Sequence, residues 1–177
     1  MTDIHVTASI NVEASLNAWM QTQLALVTKP SFLASYNVVM IEPQVALAPP
    51  AFSFTHLPAG TLSRYQGNAA SDTLKGYFAL GIFDVSAWVT RESINWRAQL
   101  RWMVAAVERV VIGQAHGAVE IQDYLTDPNS PTDSNFRVTL GSISKPQLVI
   151  PNETFDPNPN IERVRMLIDY QWIQRSA

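Results

Sequence analysis

Between Tyr77 and Ile112 the hydrophobic pattern changes its period, and that change dictates most of what the chain can fold into. Residues 77–90 alternate. Tyr77, Ala79, Gly81, Phe83, Val85, Ala87 and Val89 share one parity; Phe78, Leu80, Ile82, Asp84, Ser86, Trp88 and Thr90 share the other. A few positions later the spacing becomes three and four, through Trp96, Leu100, Met103, Val104, Val107, Val110 and Val111. Side chains alternate across a strand and recur every 3.6 residues on a helix, so a long strand is expected to feed directly into a helix over about 93–112. The first strand face is expected to bury against helices. The second starts apolar and turns polar, and partial cover is expected there.

A second amphipathic helix is predicted over residues 12–27, where Val12, Leu16, Trp19, Met20, Leu24 and Val27 form one apolar face. Asn11 reads as its N-cap, and Pro30 stops its continuation. Shorter alternating runs predict strands at 36–41, 52–57, 119–125, 136–140, 148–150 and 163–173, the first extending over 44–48 past Pro43. Pro58-Ala59-Gly60 reads as a turn, and Gly113 as the C-cap of the second helix. Residues 58–75, 126–135 and 151–161 read as long loops. No repeat or linker divides the chain. The expectation is one α+β domain over 1–177, a single mixed, mostly antiparallel sheet packed against the two helices (about 12–27 and 93–112).

Chemistry is harder to find than structure. The three histidines, His5, His56 and His116, lack the spacing of a zinc site. Asp123, Asp127 and Asp133 fall near one loop, but prolines interrupt them and the distal Glu of a calcium loop is missing. There is no Gly-x-Ser-x-Gly, and Gly76 and Gly81 lie within a strand at the wrong spacing for a dinucleotide loop. The absence of cysteine excludes disulfides and thiol chemistry. With a net charge of −3 and no basic run, the chain lacks the clustered cations of nucleic-acid binding. No catalytic, cofactor or metal residue is assigned. The N-terminus lacks the pattern of a secretory signal and no run reaches membrane-span length, so a soluble protein made in a cytoplasm is expected.

Charged residues make up 15% of the chain, against about a quarter in ordinary globular proteins. A deficit of that size fits a surface partly covered by neighbours. Trp88, on the polar strand face, is the kind of aromatic enriched at protein interfaces, the alternative being cover by a loop or the first helix.

Three features together resemble the tail terminator (tail completion) proteins of tailed bacteriophages: the helix at 12–27, the strand Gly76–Thr90 passing into the helix Trp96–Val111, and the closing strand Val164–Trp172. The Pro-rich insert 146–159 departs from that family's minimal pattern. The resemblance implies a non-enzymatic virion protein without cofactors. Such a protein forms a homo-oligomeric ring, usually a hexamer, at the head-proximal end of the tail tube. There it stops tube polymerisation and meets the tail tube protein and the head connector. Under this resemblance the candidate subunit-interface residues are Trp88, Asp84, Arg64, Tyr65, Asp72, Asp127 and Asp133. Two other readings stay open, another neck or baseplate subunit and a small-ligand protein whose sheet aromatics line a pocket.

Overall fold

The computed structural model describes residues 4–33, 37–40, 49–66, 75–113, 118–127, 129–149 and 160–174. In chain order the elements are α1 (Ile4–Ala25), β1 (Asn37–Met40), β2 (Ala51–Gln66), β3 (Lys75–Thr90), α2 (Trp96–Gly113), β4 (Ala118–Asp123), β5 (Thr132–Ile143), β6 (Gln147–Val149) and β7 (Ile161–Gln174). The strands form one sheet in the order β1-β2-β3-β7-β5-β4, with β6 paired to β7. Among the described residues only β1 runs parallel to its neighbour, β2; the other pairings are antiparallel. The fold is therefore α+β, with two helices and a single mixed, mostly antiparallel sheet.

The strand-to-helix unit forms as its pattern requires. Phe83, Val85, Ala87 and Val89 of β3 are buried, as are Met103, Val107, Val110 and Val111 of α2. The closing strand β7 inserts between β3 and β5 rather than lying at an edge. Val164, Met166, Ile168 and Tyr170 bury on the same face as the odd positions of β3, because register partners across a ladder share a face. Phe54 on β2 and Phe83 on β3 stack there with ring centroids 5.7 Å apart. Val12, Leu16, Met20 and Leu24 bring α1 down onto this core at four-residue spacing.

Three boundaries differ from expectation, each for a tertiary reason. First, α1 starts at Ile4 rather than residue 12, so Asn11 lies inside the helix instead of capping it. Its side-chain Oδ1 accepts the Tyr124 backbone N–H at 3.0 Å, while Ser15 Oγ accepts that of Gln122 at 3.0 Å. Two polar side chains of α1 thus satisfy donors along the edge strand β4 and its exit, which blunts an edge open to pairing.

Second, β2 does not turn at Pro58-Ala59-Gly60 but continues to Gln66. Pro58 faces Gly81 and Leu62 faces Ala79, so residues 59–61 oppose Leu80 alone. The excess residues form a bulge, which accommodates a proline that a regular ladder would reject. The loop expected at 58–75 shrinks accordingly, and Arg64 and Tyr65 pair with Tyr77 and Gly76 inside the β2–β3 ladder. Third, β5 begins at Thr132, so Asp133 lies in a strand opposite Gln122 rather than in a loop. Helix α2 includes Gly113 as its last residue, and its first turn follows a turn over 91–95. The continuation expected over 44–48 and most of the Pro-rich segment lie outside the described residues.

Candidate functional site

Both helices pack on the face formed by Phe54, Phe83 and Ile168, so neither of them covers the opposite sheet face. At its centre the register brings three strands together. Ser53, Ser86 and Arg165 lie in one row and Ala51, Trp88 and Arg163 in the next. Alternation alone would leave these positions to solvent, yet Ser53, Asp84 and Ser86 are all buried.

A connected polar network satisfies them. Arg165 Nε donates to Asp84 Oδ2 at 2.6 Å, an ion pair between a nearly buried carboxylate and a guanidinium about a third exposed. Ser86 Oγ lies 3.4 Å from the other oxygen, Asp84 Oδ1. Arg163 Nε donates to Ser86 Oγ at 3.1 Å, and its guanidinium carbon sits 4.7 Å from the Trp88 ring centroid. Trp88 in turn donates its indole N–H to Ser53 Oγ at 2.8 Å. Cation–π stacking fixes the arginine plane and the indole bond fixes the ring, so a half-buried Trp–Arg pair is held in one geometry.

One position along β7 the side chain changes face, and Glu162 opposes the core residue Val89. Arg91 donates through Nε to the buried Glu162 Oε1 at 2.6 Å, and its backbone N–H bonds to Asn160 O at 2.7 Å. Asn160 Nδ2 reaches Glu92 Oε1 at 3.1 Å. These contacts tie the β3–α2 turn to the start of β7. Back on the polar sheet face, Arg137 pairs with Glu120 at 2.8 Å, both about half exposed.

On the helix-covered face His56 and Tyr170 share a hydrogen bond between imidazole Nε2 and phenol, with ring centroids 5.4 Å apart. Burial pushes the His56 imidazole down to about 4, so it is neutral near neutral pH. The Glu13 carboxyl of α1 is pushed above its ordinary value by burial, an effect partly opposed by a hydrogen bond from the His56 backbone N–H. The sequence offered no reason to associate these three groups, since 43 and 114 positions separate His56 from Glu13 and Tyr170 respectively (56 − 13 and 170 − 56).

The residues expected at an interface separate into distinct places. Trp88 and Asp84 do come together, in the network above. Arg64 and Tyr65 sit near the far end of the β2–β3 ladder. Asp72 lies outside the described residues. Asp127 closes a local turn, its Oδ1 accepting the Asn129 N–H at 3.0 Å. Asp123 caps its own turn by accepting the Thr126 hydroxyl at 2.7 Å and the Leu125 N–H at 3.0 Å, bonds that hold its carboxyl below the ordinary range. Among the described residues no group of three or more His, Asp or Glu could hold a metal. No described helix is long and apolar enough to cross a membrane.

Arg163, Arg165, Ser53 and Ser86 complete the site, and sequence reading did not single them out. The signal available was the alternating charge in Arg163 and Arg165 on the strand face shared with Asp169, but it acquires meaning only from the β3–β7 register. The chain matches no protein family model and no curated protein.

Proposed function

We propose that this protein is a structural subunit of a phage particle, a tail terminator that assembles as a homo-oligomeric ring, by that resemblance a hexamer, at the head-proximal end of a tail tube. The ring stops tube growth and presents a surface to the head connector. The Trp88–Arg163 platform is the observation that supports this reading most. Tryptophan and arginine carry a disproportionate share of interface energy, and side chains already held in place lose little entropy on docking. Here the pair stands partly exposed on a sheet face that neither helix covers, supported by Ser53 and Ser86. We assign this face to the contact with an adjoining protein of the particle, the tail tube protein or the head connector.

The reading requires no cofactor and no catalysis, and places the protein in the virion after synthesis in the host cytoplasm. Another neck or baseplate position would use the same platform, and location in the particle separates the two. Tails assembled without the protein are expected to lose length control, and immunolabelling is expected to mark the head-proximal end. Tails of normal length in its absence, or labelling elsewhere, would exclude the terminator role.

A further inference from the structure

The charge of the chain is unevenly placed. Residues 91–109 hold four arginines and two glutamates, whereas residues 118–133 hold four carboxylates and no base. The first stretch is the turn before α2 and most of that helix. The second is β4, the turn after it and the start of β5.

On α2, Ala98, Arg101 and Ala105 recur at three- and four-residue spacing and are exposed, opposite the buried Met103, Val107 and Val110. Arg97 borders this stripe with its guanidinium over the Trp96 ring, and Ile94, 99% exposed, stands just ahead of it. Neither Arg97 nor Arg101 forms an ion pair with a described carboxylate. The charges before them are already engaged, Arg91 with Glu162 and Glu92 with Asn160. Glu108 lies two turns beyond Arg101, where Arg109 adjoins it. The face is therefore basic, and the alanines on either side of Arg101 let another backbone come close.

The β4–β5 tip is its complement. Glu120 is offset by Arg137, which leaves three aspartates at the tip. Asp127 and Asp133 are exposed, and bonds from Thr126 and Leu125 keep Asp123 ionised. Leu125, 49% exposed, lies between Asp123 and Asp127. An apolar centre with a charged rim is the composition of an interface.

The two patches lie at opposite ends of the sheet, so they do not meet within one chain. Helix α2 follows Thr90, which pairs with Ile161 at the start of β7; the tip precedes Phe136, which pairs with Gln174 at its end. Thirteen positions (174 − 161) separate those pairs. At 3.3 Å per residue the span is roughly 43 Å.

We propose that the β4–β5 tip of one copy docks on the α2 face of the next, with Leu125 over Ala98 and the aspartates against Arg97 and Arg101. Opposite charges steer the approach and fix its register. Two different patches meet, which makes the contact heterologous, and repetition generates a ring if the rotation closes. The contact rests on the ring reading and names the lateral interface within it.

Two charge reversals test it by sedimentation, Arg97→Glu/Arg101→Glu on the helix and Asp127→Lys/Asp133→Lys on the tip. Each variant alone is expected to stay monomeric where wild type assembles. Their mixture is expected to assemble, because every junction of an alternating ring then joins opposite charges. Wild-type association is expected to weaken about tenfold or more between about 0.05 M and 0.5 M salt, as screening shortens the reach of these charges. Assembly of either variant alone, or salt-independent association of wild type, overturns the contact while the ring reading stands. So does a mixture that stays monomeric although both variants keep the wild-type melting temperature. A helix reversal that spares self-association but abolishes binding to tail tube protein assigns the face to that protein instead. A wild-type protein that stays monomeric with and without tail tube protein removes the ring reading and this contact together.

Discussion

Gly81 and Tyr170 are register partners on the core face, and a Cβ at residue 81 would overlap the tyrosine ring. The glycine is therefore required by close approach rather than by backbone conformation. It lets Tyr170 lie over β3 and reach His56 on β2, so one missing side chain ties three strands together. Gly81→Ala is expected to destabilise the protein by about 1–3 kcal/mol, the usual range for overpacking. Urea denaturation checks this, with the midpoint lowered and the slope unchanged.

Burial of His56, the partner of that tyrosine, makes stability depend on acid. His56 is neutral in the fold, with its value pushed from 6.5 to about 4. Between those values the unfolded chain takes up a proton that the native chain refuses. Stability therefore falls as pH drops from about 6.5 toward about 4, and this contribution levels off below. The loss should be about 1–2 kcal/mol, reduced from the full linkage value by the ring's remaining solvent contact. Glu13 works in the opposite sense, because its raised value lets the native state gain a proton first on acidification. Denaturation curves across this range should flatten in His56→Gln and steepen in Glu13→Gln.

Asp84 and Arg165 should respond asymmetrically to truncation. Removing Arg165 strands a carboxylate that is 7% exposed, whereas removing Asp84 leaves a guanidinium 34% exposed that can turn to water. Arg165→Ala is expected to cost about 2–4 kcal/mol and Asp84→Ala about 1–2 kcal/mol. The double variant should cost less than the sum, a coupling that a double-mutant cycle measures directly.

Much of the fold was legible because burial and periodicity coincide. In β3, α2 and β7 the apolar residues fall on one buried face at the period of the element. Legibility failed where a tertiary contact overrode local chemistry. Asn11 has the composition of a cap but bonds instead to the end of β4 and its exit, at Asp123 and Tyr124. Pro58-Ala59-Gly60 has the composition of a turn, yet the β2–β3 ladder absorbs it as a bulge. Trp88 and Asp84 could be noticed as polar-face residues. Their partners on β7 lie some eighty positions away and become partners only through strand register.

Arg163→Ala should separate assembly from folding. Its Nε bond to Ser86 and its stack on Trp88 hold the platform. Loss of a hot-spot arginine typically costs at least about 2 kcal/mol of binding, roughly thirtyfold in affinity. Binding of the variant to tail tube protein or head connector, followed by interferometry, should weaken by that order while its thermal transition moves by only a few degrees. Unchanged binding to both would remove the platform from the interface.

Electron microscopy of the purified protein, alone and with tail tubes, tests the central claim most directly. The account predicts closed rings of defined symmetry, seated at one end of each tube. Particles that remain single subunits in both samples, with tubes left bare and growing, would contradict it.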